Sequence, residues 1–497
     1  MLRSVLGASL HDITTRLKAE PQRFPKLDVI YSQDQPVTTP VCIALPSNGL
    51  RLRFDGPEQR LRLIEVLDFQ RNHITFEGKD VVRPADSTAP AFSPNPDGTP
   101  WNSGPSFRHI YKRLLGPTFG GEFIAPEAGQ EMGIYVLSYP GVAFNFPLAA
   151  SAYSPDKDVM ALLSSSTATS MAIFHGDTWA QARPMLYTAP LPSVKVSSVV
   201  SRSKDTSPDE VSLIRVHGGG RLELFRKWTS HAFEIQIGET TPQDLVRELG
   251  PPSAIYRKND EKMVIHKKRA ASTARSRPSV GEIGLPEDLT DTDHSSLATT
   301  SDVSDDEAQD AYLANPTGEC FYNYFYLGFD VLLSTGVSPS RLPEVPDSEP
   351  KPEELRIKGM PADKLVAAKF IVHGNIPGSY EFNRHRRCRW EIGYLNNTGN
   401  GEPVTSESPF QEIEDRLSEK WGRWIPRETL IPRQRGMVLN RGWGDSPGSS
   451  CELLGGWEES GMKRIGATGD SLSNLYGFPG LVLEVLRNGF VNTLTIF

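Results

Sequence analysis

Apolar residues along this chain fall into two periods, and the switch between them recurs. Leu10, Ile13 and Leu17 sit at helical spacing. Residues 41–45 then read as a strand, and Pro46-Ser47-Asn48-Gly49 is a turn signal. Leu50, Leu52 and Phe54 alternate with Arg51 and Arg53, which gives one apolar and one charged face. Leu61, Leu63, Ile64 and Val66 close this first unit.

Three more stretches follow the same order. In the second, Ile110, Tyr111, Leu114 and Leu115 make a helix ended by Gly116-Pro117. Alternating runs flank Tyr139-Pro140-Gly141, and 171–174 closes the unit before His175-Gly176. In the third, Phe233, Ile235 and Ile237 form a leading strand, and Thr240 or Thr241 caps a helix holding Leu245, Val246 and Leu249. Strands at 321–327 and 329–333 are joined by Gly328, and 370–374 (FIVHG) echoes the IFHG string at 173–176. In the fourth, Ile413, Leu417 and Trp421 lie on a helix, Gly480 opens Leu481, Leu483 and Val485, and Val491, Leu494 and Ile496 follow. Leu50 and Leu52 precede Leu61 and Leu63 by 11 positions, as Leu483 and Val485 precede Leu494 and Ile496. The prediction is an α+β fold of about four units, each an amphipathic helix with an antiparallel meander. Their bounds are 1–84, 106–190, 209–395 and 396–497. Only residues 1–6 precede the first unit's helix, so its leading strand is expected to be short or the start codon misplaced.

Insertions break the pattern. Residues 267–318 begin basic, and from 278 to 318 they carry ten acidic residues and no Lys or Arg. Such a stretch buries too little to fold and is expected to be disordered. Residues 336–362 form a second insertion rich in Pro and Glu, 84–105 and 197–208 read as linkers, and 435–464 is rich in Gly and Trp. Across 497 residues the hydrophobic content is 38% and the net charge −8, which argues against a nucleic-acid binder. Cys42, Cys320, Cys388 and Cys451 are far apart, so a zinc cluster is not expected. The N-terminus lacks the apolar core of a signal peptide, and no run is long enough to span a bilayer, so a cytoplasmic protein is expected.

Candidate chemistry is sparse. Gly469-Asp470-Ser471-Leu472 and Gly444-Asp445-Ser446-Pro447-Gly448 spell hydrolase strings, but no histidine follows His385, so the order of a triad fails. His217-Gly218-Gly219-Gly220 reads as a hairpin tip rather than an oxyanion loop. No phosphate-binding glycine motif is present, and neither cofactor nor metal is expected. His385 has no partner at ligand spacing. Arg384, Arg386, Arg387 and Arg389 form a basic cluster, either a solvated strand face or a site for an anionic partner or lipid headgroup. Tyr322, Tyr324 and Tyr326 share one face of a strand, as core or as a partner-binding surface. Ser272, three residues after Arg269, suits a basophilic kinase.

Several strings resemble the phagosome (phagophore) assembly factor one family. They are LDVIYS at 27–32, GLRLRFD at 49–55, QRLRLIEV at 59–66, LGPPS at 249–253 and YRKNDEKM at 256–263. YNYFYLGFD at 322–330, KFIVH at 369–373, PGSYEFN at 377–383 and the last strands from 481 on extend the match. The insertions depart from it. The resemblance implies a non-catalytic scaffold or adaptor in autophagy. It also implies a complex with a phosphoinositide-binding WD40 β-propeller protein of the breast-carcinoma-amplified-sequence-three type at the phagophore assembly site. A Golgi trafficking role also attaches to the family, and a direct lipid-binding module is the other alternative.

Overall fold

The computed structural model describes residues 6–82, 104–118, 121–126, 131–188, 210–227, 229–257, 318–335, 364–398, 402–422, 436–440 and 472–497. Ser272, Ser446, Ser471, Cys451 and most of the two insertions lie outside these. The fold is mixed, with few helices and many antiparallel strands, in keeping with α+β.

Helix α1 (Leu10–Ala19) starts where the Ser9 hydroxyl accepts from the Asp12 N–H, and it buries Leu10, Ile13 and Leu17. Four strands follow: β1 (Asp28–Ile30), β2 (Val41–Leu45), β3 (Leu50–Asp55) and β4 (Arg60–Val66). A small hairpin, β5 (Thr75–Phe76) and β6 (Lys79–Asp80), stands apart. A helical turn, α2 (Phe107–His109), continues as a π-turn over Ile110–Leu114. Then come β7 (Glu122–Ile124), β8 (Met132–Tyr139), β9 (Val142–Ala149), α3 (Val159–Leu163), β10 (Ser170–Ile173) and α4 (Trp179–Met185). The eight longer strands make one sheet in the order β1-β2-β3-β4-β10-β9-β8-β7. α1 packs on one side against Ile43, Leu52 and Phe54, and Phe107, Ile110 and Leu114 pack against Leu137, Phe144 and Phe146. α4 sits with Leu63, Val136 and Ala172, the residues that alternation turns to the other face.

The second half has the same connectivity. β11 (Val211–Gly218), β12 (Arg221–Arg226) and β13 (Ala232–Gln236) come first, then α5 (Pro242–Leu249). Thr241 and Asp244 close a capping box on α5, with Pro242 in the first turn. β14 (Ala254–Arg257), β15 (Cys320–Tyr324), β16 (Phe329–Ser334), β17 (Val366–His373) and β18 (Trp390–Ile392) follow, then α6 (Phe410–Trp421). β19 (Met437–Asn440), β20 (Leu472–Phe478), β21 (Leu481–Leu486) and β22 (Val491–Ile496) complete it. The second eight-stranded sheet runs β14-β15-β16-β17-β22-β21-β20-β19. A four-stranded sheet, β13-β12-β11-β18, shares one core with it and with α5 and α6.

β13 therefore belongs to this small sheet and does not lead the third unit. Ahead of α1 a short extended segment pairs with β4: Gly7 N donates to Leu61 O (2.8 Å), Leu61 N to Ala8 O (2.9 Å), and Ser9 bridges to Arg60, so the first unit has a short lead. The 11-residue spacings do not mark equivalent pairs either. Leu483 pairs with Leu494, whereas Leu50 pairs with Val66 and Leu52 with Ile64, across a bulge at Arg53/Phe54.

Four glycines open the third strand of each meander: Gly49, Gly141, Gly328 and Gly480, with φ of 60°, 81°, 89° and 74°. Each glycine carbonyl accepts from a residue at the end of the fourth strand: Leu67 (2.8 Å), Phe174 (3.0 Å) and Phe497 (3.1 Å) just past it, and His373 (2.9 Å) as its last residue. His373 thus stands where Phe174 stands, not His175, so the His-Gly echo between 173–176 and 370–374 is out of step by one residue.

Candidate functional site

The densest set of chemistry-bearing side chains lies on the back of the second sheet. Along β16, Phe329, Val331 and Leu333 enter the core, which turns Asp330 to the opposite face. On β17, Phe370 and Val372 likewise enter the core and leave His373 beside Asp330. After β17 the chain turns at Gly374 and folds back across this face, bringing His385 with it. The return is fixed by backbone bonds from Arg386 N to Phe325 O (2.8 Å) and from Cys388 N to His373 O (3.0 Å). It passes so close to the hairpin tip that a Cβ on Gly328 would lie 2.3 Å from the Arg386 carbonyl oxygen.

His373 Nε2 donates to one oxygen of Asp330 (2.9 Å) and His385 Nε2 to the other (3.0 Å). The two rings stack at 3.7 Å with only 8° between their planes. All three residues are buried. Burial alone would raise the Asp330 carboxyl, but the hydrogen bonds from the two histidines outweigh it and hold it below the usual carboxylate range. Burial, with His373 alongside, pushes His385 down to about 4, against the pull of Asp330.

The nitrogen and oxygen atoms of this trio lie within 4.8 Å of one another, close enough to consider a cation. The stacking argues otherwise. A metal binds imidazole in the ring plane at about 2.1 Å. Two parallel planes 3.7 Å apart point their lone pairs side by side, and no single ion lies in both. The arrangement suits protons: one carboxylate holding two imidazoles in place. His385 thus has partners that sequence spacing hid, since they come from 12 and 55 positions away.

The same returning segment carries the arginines, and it is a loop rather than a strand. Arg387 is buried, not on a solvated face. It donates to the carbonyls of Pro57 (2.6 Å) and Gly374 (2.6 Å) and pairs with Glu407 (3.2 Å). Arg389 grips Glu407 with two nitrogens, each at 3.0 Å. Arg386 joins a chain of alternating charge across the junction of the two large sheets. Asp12 pairs with Arg386 (2.6 Å), Arg386 with Glu210 (3.0 Å), and Glu210 with Arg60 (2.8 Å). Arg60 pairs with Glu58 (3.1 Å), and Glu58 with Lys227 (2.6 Å). Arg384 reaches Glu381 at 3.7 Å and is the most open of the four. The cluster read as a surface for anions is thus turned largely inward. The loop brings more to the junction: Ile376 packs with Val37 and Phe490, Phe382 joins the α1 core, and Asn375 exchanges hydrogen bonds with Gln59.

The tyrosines split. Tyr324 is fully buried and Tyr322 packs against the same core. Tyr326 lies past the end of β15, in the turn to Gly328. The hydroxyls of Tyr324 and Tyr326 donate to Gly250 (3.4 Å) and Leu249 (3.2 Å), satisfying carbonyls at the end of α5. His217-Gly218-Gly219-Gly220 forms the tip of the β11–β12 hairpin, as its spacing predicts.

Acid should loosen this structure, and the sign can be worked out. Asp12, Glu58 and Glu210 are held low, in each case because neighbouring cations and hydrogen bonds outweigh burial, and Glu407 is held at about 2. Such groups contribute stability above their unfolded values and lose it as pH falls toward the folded ones. His385, pushed down to about 4, binds its proton more readily when unfolded. It therefore also withdraws stability between roughly pH 6.5 and 4. Thermal unfolding is expected to fall steadily from pH 7 to pH 4, with His385→Gln flattening the upper part of that slope. A transition midpoint independent of pH over this range would contradict the assignment.

The chain belongs to the phagosome assembly factor 1 family, whose profile matches residues 1–280 and 362–497. The unmatched stretch covers most of the acidic insertion and all but the last residue of the second one. A PHAF1 protein of Arabidopsis thaliana is 23% identical over 99% of this chain and 89% of its own length. PHAF1 proteins of Drosophila melanogaster and Caenorhabditis elegans are each 20% identical, over 99% of this chain and 90% of theirs. No solved structure matches. The family name points to an autophagy-related assembly role rather than to catalysis. Among the described residues no helix is long and apolar enough to cross a membrane.

Proposed function

We propose that this protein is a non-catalytic scaffold or adaptor in autophagy that holds a phosphoinositide-binding WD40 β-propeller protein of the breast-carcinoma-amplified-sequence-three type at the phagophore assembly site. One observation carries the non-catalytic part. Among the described residues, the clusters dense enough for chemistry direct their charged groups at one another: both oxygens of Asp330 are taken by its histidines, and the acids of the arginine–acid chain are paired with its cations. A catalytic group needs a free face toward substrate.

The scaffold reading rests on architecture. The shared sheet order and the four equivalent glycine bonds support four copies of one helix-and-meander unit, fused pairwise into sheets. Closing each sheet in pairs leaves only outer strands to recruit a partner. β14 is exposed along its whole length, with Ile255 at 56% and Tyr256 at 61%. An added strand would find unpaired backbone there and apolar side chains on both faces.

The test is co-purification of the full chain with the propeller protein, for wild type and for Ile255→Lys with Tyr256→Glu. Wild type is expected to recover the propeller and the double variant at least tenfold less. Failure of the wild type to recover it sinks the proposed complex. Undiminished recovery by the variant removes β14 from it.

A further inference from the structure

Two glycine-bearing hairpin tips face each other beside the end of α6. One is Gly218–Gly220 of β11–β12, with φ of 82°, 57° and 74°. The other is the Pro479–Gly480 turn of β20–β21. Between them lies a recess of about 240 Å³, its open mouth included, and Tyr394 and Trp421 are among its walls. Both side chains are more than nine-tenths buried, with 8% and 5% exposure. Yet the Tyr394 hydroxyl and the Trp421 Nε1–H have no hydrogen-bond partner among the described residues. The indole N–H lies near enough to the phenol to oppose part of the effect of burial, which still pushes Tyr394 up to about 12. The two groups do not meet in hydrogen-bond geometry, and their rings cross edge-on at 6.3 Å.

Two buried donors left empty beside one opening are costly, and native interiors seldom tolerate it. We propose that this recess is a binding site for a single acceptor oxygen, held by the Trp421 N–H and the Tyr394 O–H. The enclosed part leaves about 10 Å³ in which a water-sized group can centre itself. That is about the room one water needs. It fits one oxygen and excludes a larger guest from the inner part. A carboxylate entering from the mouth offers the same oxygen as an ordered water, so the chemistry is shared and the source is a matter for experiment. The position matters because the recess lies where the small sheet, α6 and the second large sheet converge. A guest there would tie the three together.

The experiment is thermal unfolding of the full chain as wild type, Tyr394→Phe and Trp421→Phe, with and without acetate, alongside the ¹⁵N-indole spectrum. If an oxygen is held, Tyr394→Phe, which deletes only the hydroxyl, loses a real hydrogen bond, and its midpoint falls by about 2 °C. The Trp421 indole proton, assigned by its loss in Trp421→Phe, then appears at a hydrogen-bonded shift. Should acetate leave the shift and the midpoint unchanged, the bound oxygen is water. Should it move both saturably in wild type but not in Tyr394→Phe, the site takes a carboxylate. A midpoint that stays level or rises in Tyr394→Phe overturns the proposal, since deleting an orphaned hydroxyl relieves its burial. A direct Trp421–Tyr394 hydrogen bond in a crystal, with the recess empty, overturns it as well.

Discussion

Replacing Glu407 with alanine should lower the free energy of unfolding by about 3–5 kcal/mol, the range for stripping the partner from a buried charge. Arg387 is the reason. Its side chain is 1% exposed, and burial already pulls its guanidinium below the usual range. Glu407 is the carboxylate that compensates it, and the same carboxylate receives both nitrogens of Arg389. Removing it leaves one guanidinium charge buried and a second poorly paired. Because Glu407 keeps 18% of its side chain in water, the lower part of that range is the expected result. Glu407→Gln should recover part of the loss, since the amide oxygen still accepts. Denaturant titration at pH 7 reads this directly. A change below about 1 kcal/mol, the size of a surface pair, would show that Arg387 is hydrated and that the loop does not clamp the junction.

Asp330→Ala should be the next largest, at about 3 kcal/mol, because it removes two hydrogen bonds and strands two buried imidazoles. The effect should spread beyond the sheet. His385 is the fastening point of the segment that carries Arg386 and Arg387 to the first half. Losing its anchor should increase hydrogen exchange at 374–389 and in α1, which Arg386 reaches through Asp12. Increased exchange confined to β16 and β17 would mean that the trio stabilises its own sheet alone.

Much of this was legible in the sequence, and the exceptions share physical causes. Helices α1, α5 and α6 announced themselves through Ile13, Leu245 and Leu417 at helical spacing, and central strands such as β3 and β21 through alternation. Pattern reading did not mark β20 or the small β5–β6 hairpin, and it also missed β1, β7, β14 and β19, the outer edges of the two large sheets. Each of these edges is three or four residues long, and an edge strand half in water carries too few apolar residues to show a period. β18 escaped for another reason: it pairs in parallel with β11 across a gap of 176 residues (Arg215 with Glu391), and local pattern cannot see that. Tyr326 followed the alternation of Tyr322 and Tyr324 but sits in a turn, because the chain must reach Gly328.

The arginine cluster shows the limit most clearly. Four arginines in six positions read as surface because charged residues seldom go inside unpaired. Their partners Asp12, Glu210 and Glu407 are distant in sequence except for Glu407, which follows Arg387 by 20 positions. Asp330, His373 and His385 were hidden in the same way. Two of the three lay in strings that carried the family resemblance, but nothing in their spacing linked them.

The central claim is that these buried groups hold a scaffold together and do no chemistry. The most direct measurement is autophagic flux per folded molecule in cells where Asp330→Asn replaces the wild-type protein. The amide keeps the shape and one acceptor while abolishing the carboxylate. A structural role predicts a lower melting temperature and less protein, with flux per remaining folded molecule equal to wild type. Normal melting and normal abundance with flux abolished would contradict it and assign the carboxylate to chemistry.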